Sequence, residues 1–363
     1  MTEPVFALFT GGGTGGHTYP AVAVAQELVR RGHAPGTLRF VGGSRGIEGE
    51  VVPEAGFAID LLPGRGLQRR LTFANVEAIL GAFAAFVRAI GLVRKYRPRV
   101  VVGFGGYASL PCVAAARILR VPTLVHEQDA APGLANRIGV RLGARAAVSL
   151  PDTPLPGATL TGNPVRSTIL AVDRAPAREP ALLAVFGGAL GARTINRATT
   201  GCYDRWRAWR DVTVHHVCGP RNLDECETAL AGQRRADDAL TYELVPYEPH
   251  MEELLARATL AVCRSGAGTV AELTVVGVPA VLVPLPGSPS DHQARNAQTL
   301  ERAGAAVVVR DEECDPARLD RVVSDLLREP EQLVAMGNAA RALGRPDAAA
   351  RVADLVEEHA RAA

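Results

Sequence analysis

A histidine closing a glycine run, and a glutamate one turn past another glycine loop, are the residues of this chain best placed to do chemistry. The first run is Thr10-Gly11-Gly12-Gly13-Thr14-Gly15-Gly16-His17, after the apolar stretch Val5 to Phe9. Glycines leave backbone amides uncovered, and a helix opening at such a turn directs its positive end at an anion. That end favours a neutral imidazole at His17, which can accept a proton. The plainer alternative is a surface histidine beside a turn that only packs a helix on a strand. A turn of the same kind, Phe186-Gly187-Gly188-Ala189-Leu190-Gly191-Ala192, follows the apolar Leu182 to Phe186. A third loop runs from Cys263 to Glu272; amides around Ala267 to Thr269 could cap a diphosphate, and Glu272 could take two ribose hydroxyls. There Thr269-Val270-Ala271-Glu272 also reads as a capping box, in which Glu272 only satisfies the Thr269 amide.

Elements that would hold these loops alternate along the chain. Short β-rich runs (Leu38 to Val41, Val100 to Val102, Thr123 to His126, Ala146 to Leu150, Val212 to Val217, Leu260 to Cys263, Ala280 to Val283, Ala305 to Val309) are separated by helix-length segments. This pattern predicts an α/β fold with two doubly wound parallel sheets, facing one another across a phosphate-bearing ligand. The proline-rich stretch Pro151 to Pro164 marks the boundary, a second loop spans Ala175 to Pro180, and the helical tail after Arg345 could cross back onto the first lobe. The expected domains are 1–163, joined by about 345–363, and 164–344. Pro284 to Gln293 follows a strand and lies where ligands bind in such sheets.

Gly11, Gly13 and Gly16 match GxGxxG, yet the second strand ends Val41-Gly42-Gly43-Ser44 without the carboxylate that a dinucleotide ribose needs. The net charge of +2 is uneven: residues 1–166 hold 18 Lys and Arg against 10 Asp and Glu, the remainder 22 against 28. No lysine-rich run accompanies this, so the asymmetry points to an anionic surface or substrate rather than to nucleic acid. Six cysteines without CxxC or zinc spacing read as buried thiols, and the start Met1-Thr2-Glu3-Pro4 lacks a signal peptide's segments, which predicts a cytoplasmic protein.

Seven ordered motifs carry a resemblance over nearly the whole chain. They are Gly12 to His17, Gly103-Phe104-Gly105-Gly106-Tyr107, His126-Glu127-Gln128-Asp129, Pro132 to Arg137, Gly162-Asn163-Pro164-Val165-Arg166, Gly187 to Arg193, and Arg264 through Glu272. Together they resemble the MurG family, the bacterial UDP-N-acetylglucosamine:undecaprenyl-diphospho-muramoylpentapeptide N-acetylglucosaminyltransferases of peptidoglycan synthesis. The resemblance implies a GT-B fold with the lipid acceptor on the first lobe and the sugar nucleotide mainly on the second. It implies donor contacts from Arg166, from Ala267, Gly268, Thr269, Val270, Ala271 and Glu272, and from Gln293, with the Glu248 backbone at uracil. Thr14, Gly15 and Gly16 would close over the donor beside the acceptor's diphosphate, and Gly105, Gly106 and Tyr107 would meet the acceptor. Asp129 stands where the family usually has Asn, and Ala189 where it has Ser. Asp129 thus keeps an acceptor but loses a donor, and Ala189 offers only its amide.

The implied reaction moves GlcNAc from UDP-GlcNAc to the C4 hydroxyl of lipid I (undecaprenyl-diphospho-MurNAc-pentapeptide) with inversion, giving lipid II. His17 is the expected base, with His126-Glu127 as a second possibility. No DxD-like acidic pair lies near these loops, so neither metal nor other cofactor is required. Between Phe73 and Val93, the residues Val76, Leu80, Phe83, Val87 and Ile90 form one helical stripe; Ile79, Phe86 and Val93 lie beside it, and Arg94, Lys95, Arg97 and Arg99 follow. Core packing explains such a stripe, and the resemblance implies that part of it meets the anionic cytoplasmic leaflet as a peripheral surface. Cell-wall or division proteins are further implied partners. Two other readings stay open: another GT-B enzyme using UDP-GlcNAc, such as a 2-epimerase or glycolipid synthase, and a non-catalytic nucleotide-binding scaffold.

Overall fold

The computed structural model describes residues 5–63, 74–174 and 180–361, the side chains of residues 74–80 and 289 excepted. The chain divides into two compact units, Met1–Arg166 with Arg345–Ala363, and Ser167–Gly344. The division falls after Arg166 rather than after residue 163. Val165 is buried, and the Arg166 guanidinium lies over the Tyr19 ring of the first unit. Of the loop expected at Ala175 to Pro180, residues 175–179 lie outside the described residues.

The first unit is built on seven parallel strands: β1 (Ala7–Thr10), β2 (Leu38–Gly43), β3 (Ala58–Leu62), β4 (Val100–Gly103), β5 (Thr123–Glu127), β6 (Arg145–Val148) and β7 (Thr159–Leu160). Their order is β3-β2-β1-β4-β5-β6-β7. Among the described residues, five helices connect them: α1 (Gly15–Arg30), α2 (Glu48–Glu54), α3 (Ala74–Tyr96), α4 (Ser109–Ile118) and α5 (Leu134–Arg141). Strand pleating sends alternate residues to opposite faces, and both faces here are apolar. Ala7 and Phe9 of β1 pack in one cluster with Ala21, Val24 and Leu28 of α1. Leu8, between them, packs in another with Ala85, Ala89 and Leu92 of α3 and Cys112 of α4.

The second unit repeats the plan with β8 (Ala181–Phe186), β9 (Val212–Val217), β10 (Thr241–Val245), β11 (Leu260–Cys263), β12 (Ala280–Leu282) and β13 (Ala306–Val308), all parallel, in the order β10-β9-β8-β11-β12-β13. Its helices are α6 (Ser167–Leu170), α7 (Arg193–Gly201), α8 (Tyr203–Trp206), α9 (Leu223–Ala231), α10 (Met251–Arg257), α11 (Ala267–Val276), α12 (His292–Arg302), α13 (Pro316–Arg328) and α14 (Pro330–Leu343). Leu183 and Val185 of β8, Val262 of β11 and Trp206 meet in one buried cluster. The last helix, α15 (Ala348–Arg361), returns to the first unit and buries Val352, Ala353 and Val356 beside α1. Arg31 pins it there, its guanidinium 2.7 Å from Asp354 and 3.1 Å from Glu357.

Each sheet reverses its winding once, between β1 and β4 and between β8 and β11. At such a switch point the loops beyond the strand ends turn away from each other and leave a crevice, the general ligand site of open α/β sheets. The glycine turns follow these four strands.

The expected apolar stripe of α3 is not its core face. Ala85, Ala89, Leu92, Val93 and Tyr96 are buried, whereas Phe83 and Val87 are 67% and 52% exposed. Phe86 and Ile90 pack partly against the core cluster. Small residues let α3 lie close to α4, so the larger side chains are carried outward. Val76, Ile79 and Leu80 fall on side chains outside the described residues. Among the described residues, no helix is long and apolar enough to cross a membrane. All six cysteines are buried free thiols.

Candidate active site

In the first unit, two loops meet at the switch point. The turn after β1 runs through Gly12 and Gly13 into α1, whose N-cap is Thr14. The turn after β4 runs through Gly105 and Gly106, both with positive φ. A Cβ on Gly106 would sit 2.2 Å from the Gly12 carbonyl oxygen, so this crossing admits only glycine. The His17 imidazole lies against the second turn, its Cδ2 and Nε2 both 3.2 Å from where a Gly105 Cβ would stand. Its Nδ1 lies 3.3 Å from the Thr14 hydroxyl. Tyr107, next in the loop, donates its hydroxyl to the Pro63 carbonyl at 3.1 Å, and burial raises its phenol pKa. Arg166 reaches the same end of α1, 5.7 Å from the Tyr19 ring.

Behind these loops lies a buried polar layer. Glu127 accepts the amides of Asp129 (3.1 Å) and Gly133 (2.9 Å) and the Asn136 side-chain amide (2.9 Å). Burial raises its pKa against those bonds. His126 is sealed: Nε2 lies 3.0 Å from the Gly162 carbonyl, which can only accept, and Nδ1 takes the Gln128 amide at 3.1 Å. Burial pushes its pKa down to about 4. A base must reach its substrate with a free lone pair, so the possibility of His126 as base is corrected: it is a neutral, fully bonded core histidine. Glu127 is bound to the loop from Asp129 to Gly133, holding the start of α5.

In the second unit, the loops after β8, β11 and β12 enclose a cavity of about 410 Å³, within the range of small-ligand sites. Gly188 and Gly191 form one wall, Gly266 and Thr269 at the start of α11 another, and Gln293 a third. Val270 is the first residue of α11 to donate within the helix, to the Gly266 carbonyl at 2.9 Å. The amides of Gly268 and Thr269 therefore belong to the helix's anion-favouring end. Arg264 ties the walls together: Nη1 donates to the Val283 and Pro284 carbonyls (3.0 and 3.2 Å) and to Asp311 (2.5 Å), which also accepts from Thr194 at 3.1 Å. Gln293 accepts the Leu285 amide at 2.9 Å, fixing the loop after β12.

The two sheets and their loops match known proteins over nearly their full length. Residues 7–148 fit the glycosyltransferase family 28 N-terminal domain and residues 182–352 its C-terminal domain. The UDP-N-acetylglucosamine–N-acetylmuramyl-(pentapeptide) pyrophosphoryl-undecaprenol N-acetylglucosamine transferase of Desulforudis audaxviator is 40% identical, covering 97% of each chain. The same transferase of Alkalilimnicola ehrlichii is 41% identical, covering 99% of this chain and 100% of its own. The chain belongs to the MurG family of glycosyltransferases. The crystal structure of Acinetobacter baumannii MurG superposes with a TM-score of 0.80 at 28% identity, over 98% of this chain and 100% of that one, and the fold is GT-B.

Against the MurG expectation, several residues stand apart from their loops' work. The capping-box reading of Glu272 does not hold: α11 starts at Ala267 with Gly266 as its N-cap, so Thr269 already lies inside the helix. Glu272 is half-buried on the helix flank, while Val270 and Ala271 point into the core and can offer only backbone. Ala189 lies exposed at the tip of its turn, outside the cavity wall that Gly188 and Gly191 form. Glu248 follows edge strand β10 and is not in that wall; its carboxylate accepts the His250 amide at 2.8 Å and lies 3.1 Å from His215 Nε2. Asp129 is half-buried at the turn before α5.

Three groups escaped the sequence reading as site residues. Asn136 bridges the His126 carbonyl and Glu127, and Asp311 closes the Arg264 clamp from a remote loop. Glu48 lies beside the first glycine turn, 35 residues along the chain from the amide it binds. Asn136 lies within the Pro132 to Arg137 motif, which gave it no role; only the fold brings Glu48 and Asp311 to their loops, and no local spacing announces those two.

Proposed function

We propose that the chain transfers N-acetylglucosamine from UDP-GlcNAc to the C4 hydroxyl of the muramoyl sugar of lipid I, with inversion, to give lipid II. Near full-length likeness to transferases named for this donor and acceptor carries the reading. The hydroxyl oxygen attacks the anomeric carbon, the bond to the diphosphate oxygen breaks, and UDP leaves; the hydroxyl proton passes to a base. His17 is that base. Its support is its seat over Gly105 at the crossing of two glycine turns, with His126 removed from contention.

The donor belongs to the cavity of the second unit, with its diphosphate at the Gly268 and Thr269 amides and its ribose at Glu272. Those amides and Arg166 offset charge on the departing UDP. No cofactor is invoked. The acceptor belongs to Gly105, Gly106 and Tyr107. Phe83 and Val87, followed by Arg94, Lys95, Arg97 and Arg99, suit the anionic cytoplasmic leaflet where a lipid acceptor lies.

Incubation with UDP-GlcNAc and lipid I tests the reaction directly. The expected result is release of UDP in step with a disaccharide lipid. UDP release without that lipid, or conversion of UDP-GlcNAc to an epimer, would overturn it.

A further inference from the structure

The first glycine turn already holds an anion, and that anion is part of the chain. Glu48, the first residue of α2, is 2% exposed. Its two carboxylate oxygens accept the Gly13 amide at 3.0 and 3.2 Å, and Oε1 also accepts the Gly43 amide at 2.7 Å. Three glycines clear the space: a Cβ on Gly12, Gly42 or Gly46 would stand 2.0, 2.4 or 2.0 Å from Glu48 atoms. The turn after the first strand is where a nucleotide-binding sheet receives a ligand phosphate. Here a buried carboxylate fills that place, and its charge-assisted bonds are stronger than neutral ones.

The short path from that anchor leads to the reacting group. Gly13 is followed by Thr14, the N-cap of α1, and Thr14 accepts the His17 amide at 3.2 Å. On the other side, Gly12 is pressed against Gly106. With Gly13 tied to Glu48 and Gly12 tied to Gly106, the start of α1 has one seat, and the imidazole follows it.

We propose that Glu48 is a positioning residue: its carboxylate sets the Gly12-Gly13 turn, through it the place of His17 over Gly105, and closes the Gly13 amide to a ligand phosphate. The catalytic part of this rests on the transferase reading above. Glu48 itself touches no substrate.

Glu48→Gln keeps the volume but turns an amide group toward amide donors, loosening the turn while sparing the core. It is expected to melt close to the wild type and to lose about 100-fold in kcat, the usual cost of a catalytic group displaced by ~1 Å. The KM for UDP-GlcNAc should change far less than kcat, because the donor contacts proposed at Gly268, Thr269 and Glu272 lie in the other unit. In the ligand-free variant, amides from Gly11 to Thr18 should exchange with deuterium faster than in the wild type. Glu48→Ala opens the carboxylate slot, and added formate should restore part of its kcat while leaving the wild type unaffected. Unaltered exchange in Glu48→Gln overturns the anchoring role. A rise in donor KM at constant kcat, or a kcat that tracks only the folded fraction and ignores formate, overturns the positioning of His17. A wild type that makes no disaccharide lipid sinks the transferase reading instead, and the exchange comparison still decides the anchor.

Discussion

Replacing His126 with Gln tests the division between buried and working histidines. In the folded chain burial holds its pKa near 4, against about 6.5 for an unfolded histidine. Because the folded value is the lower one, the unfolded state takes up a proton first as pH falls. Stability is therefore intact above pH ~6.5 and drains as pH drops toward 4. At pH 5.5 this one site should cost about 1.4 kcal/mol, and at pH 4.5 roughly 2.5 kcal/mol. His216 adds a like term in the second unit, where burial lowers its pKa to about 3. The two sites can be told apart optically. Both tryptophans, Trp206 and Trp209, stack in the second unit, so their fluorescence follows His216, whereas circular dichroism follows both sheets. Urea unfolding at pH 7.5 and 5.5 should show the circular dichroism loss shrink by about 1.4 kcal/mol in His126→Gln, with the fluorescence loss unaltered. The acid limb of the rate profile should remain, since the proposed base is His17 and not His126. A variant that loses stability as steeply as the wild type over this range, or that loses the acid limb, refutes the assignment.

His17→Ala should lower turnover by roughly 10²- to 10⁴-fold with little change in UDP-GlcNAc affinity, and remove the acid limb; near-normal turnover would move the base elsewhere. Glu272→Gln, which keeps the side chain's volume, should weaken UDP-GlcNAc binding by about 1.5 to 3 kcal/mol in calorimetry with little change in melting temperature. Phe83→Ser with Val87→Ser should reduce binding to anionic vesicles and leave melting almost unmoved, while Phe86→Ser, partly packed on the core, should lower melting; vesicle binding that survives the double change would dismiss the patch. Gly106→Ala should abolish turnover, measured as disaccharide lipid formed, since its Cβ has no room beside Gly12.

The strands that apolar runs revealed are, with the exception of edge strand β13, interior ones, and those left unread, β3, β7 and β10, are all sheet edges. An edge strand faces solvent along one side, so its sequence is mixed: Ala58–Leu62 and Thr241–Val245 each combine exposed and covered residues without a continuous apolar run. The glycine turns were legible because the chain needs glycine where backbones cross, as at Gly106 against Gly12. The partners of those turns were not. Glu48 and Asp311 are ordinary acidic residues until the sheet order brings them to a loop. On α3 the apolar spacing was visible but its direction was not, because the core took the alanines and left Phe83 outside.

The return of α15 gives the chain an order of birth. The first unit's sheet leaves the ribosome early, yet Val352, Ala353 and Val356, which cover one of its faces beside α1, are made last. At 5–20 residues per second, the intervening unit of about 180 residues takes roughly 10 to 35 s to emerge. During that interval the face that receives α15 stays open, and Arg31 has neither Asp354 nor Glu357 to hold. The second unit, continuous in sequence, can close first. A nascent chain halted before Arg345 should therefore carry a finished Ser167–Gly344 unit behind an unfinished neighbour, and chaperones that hold apolar surface should bind the older half of the molecule.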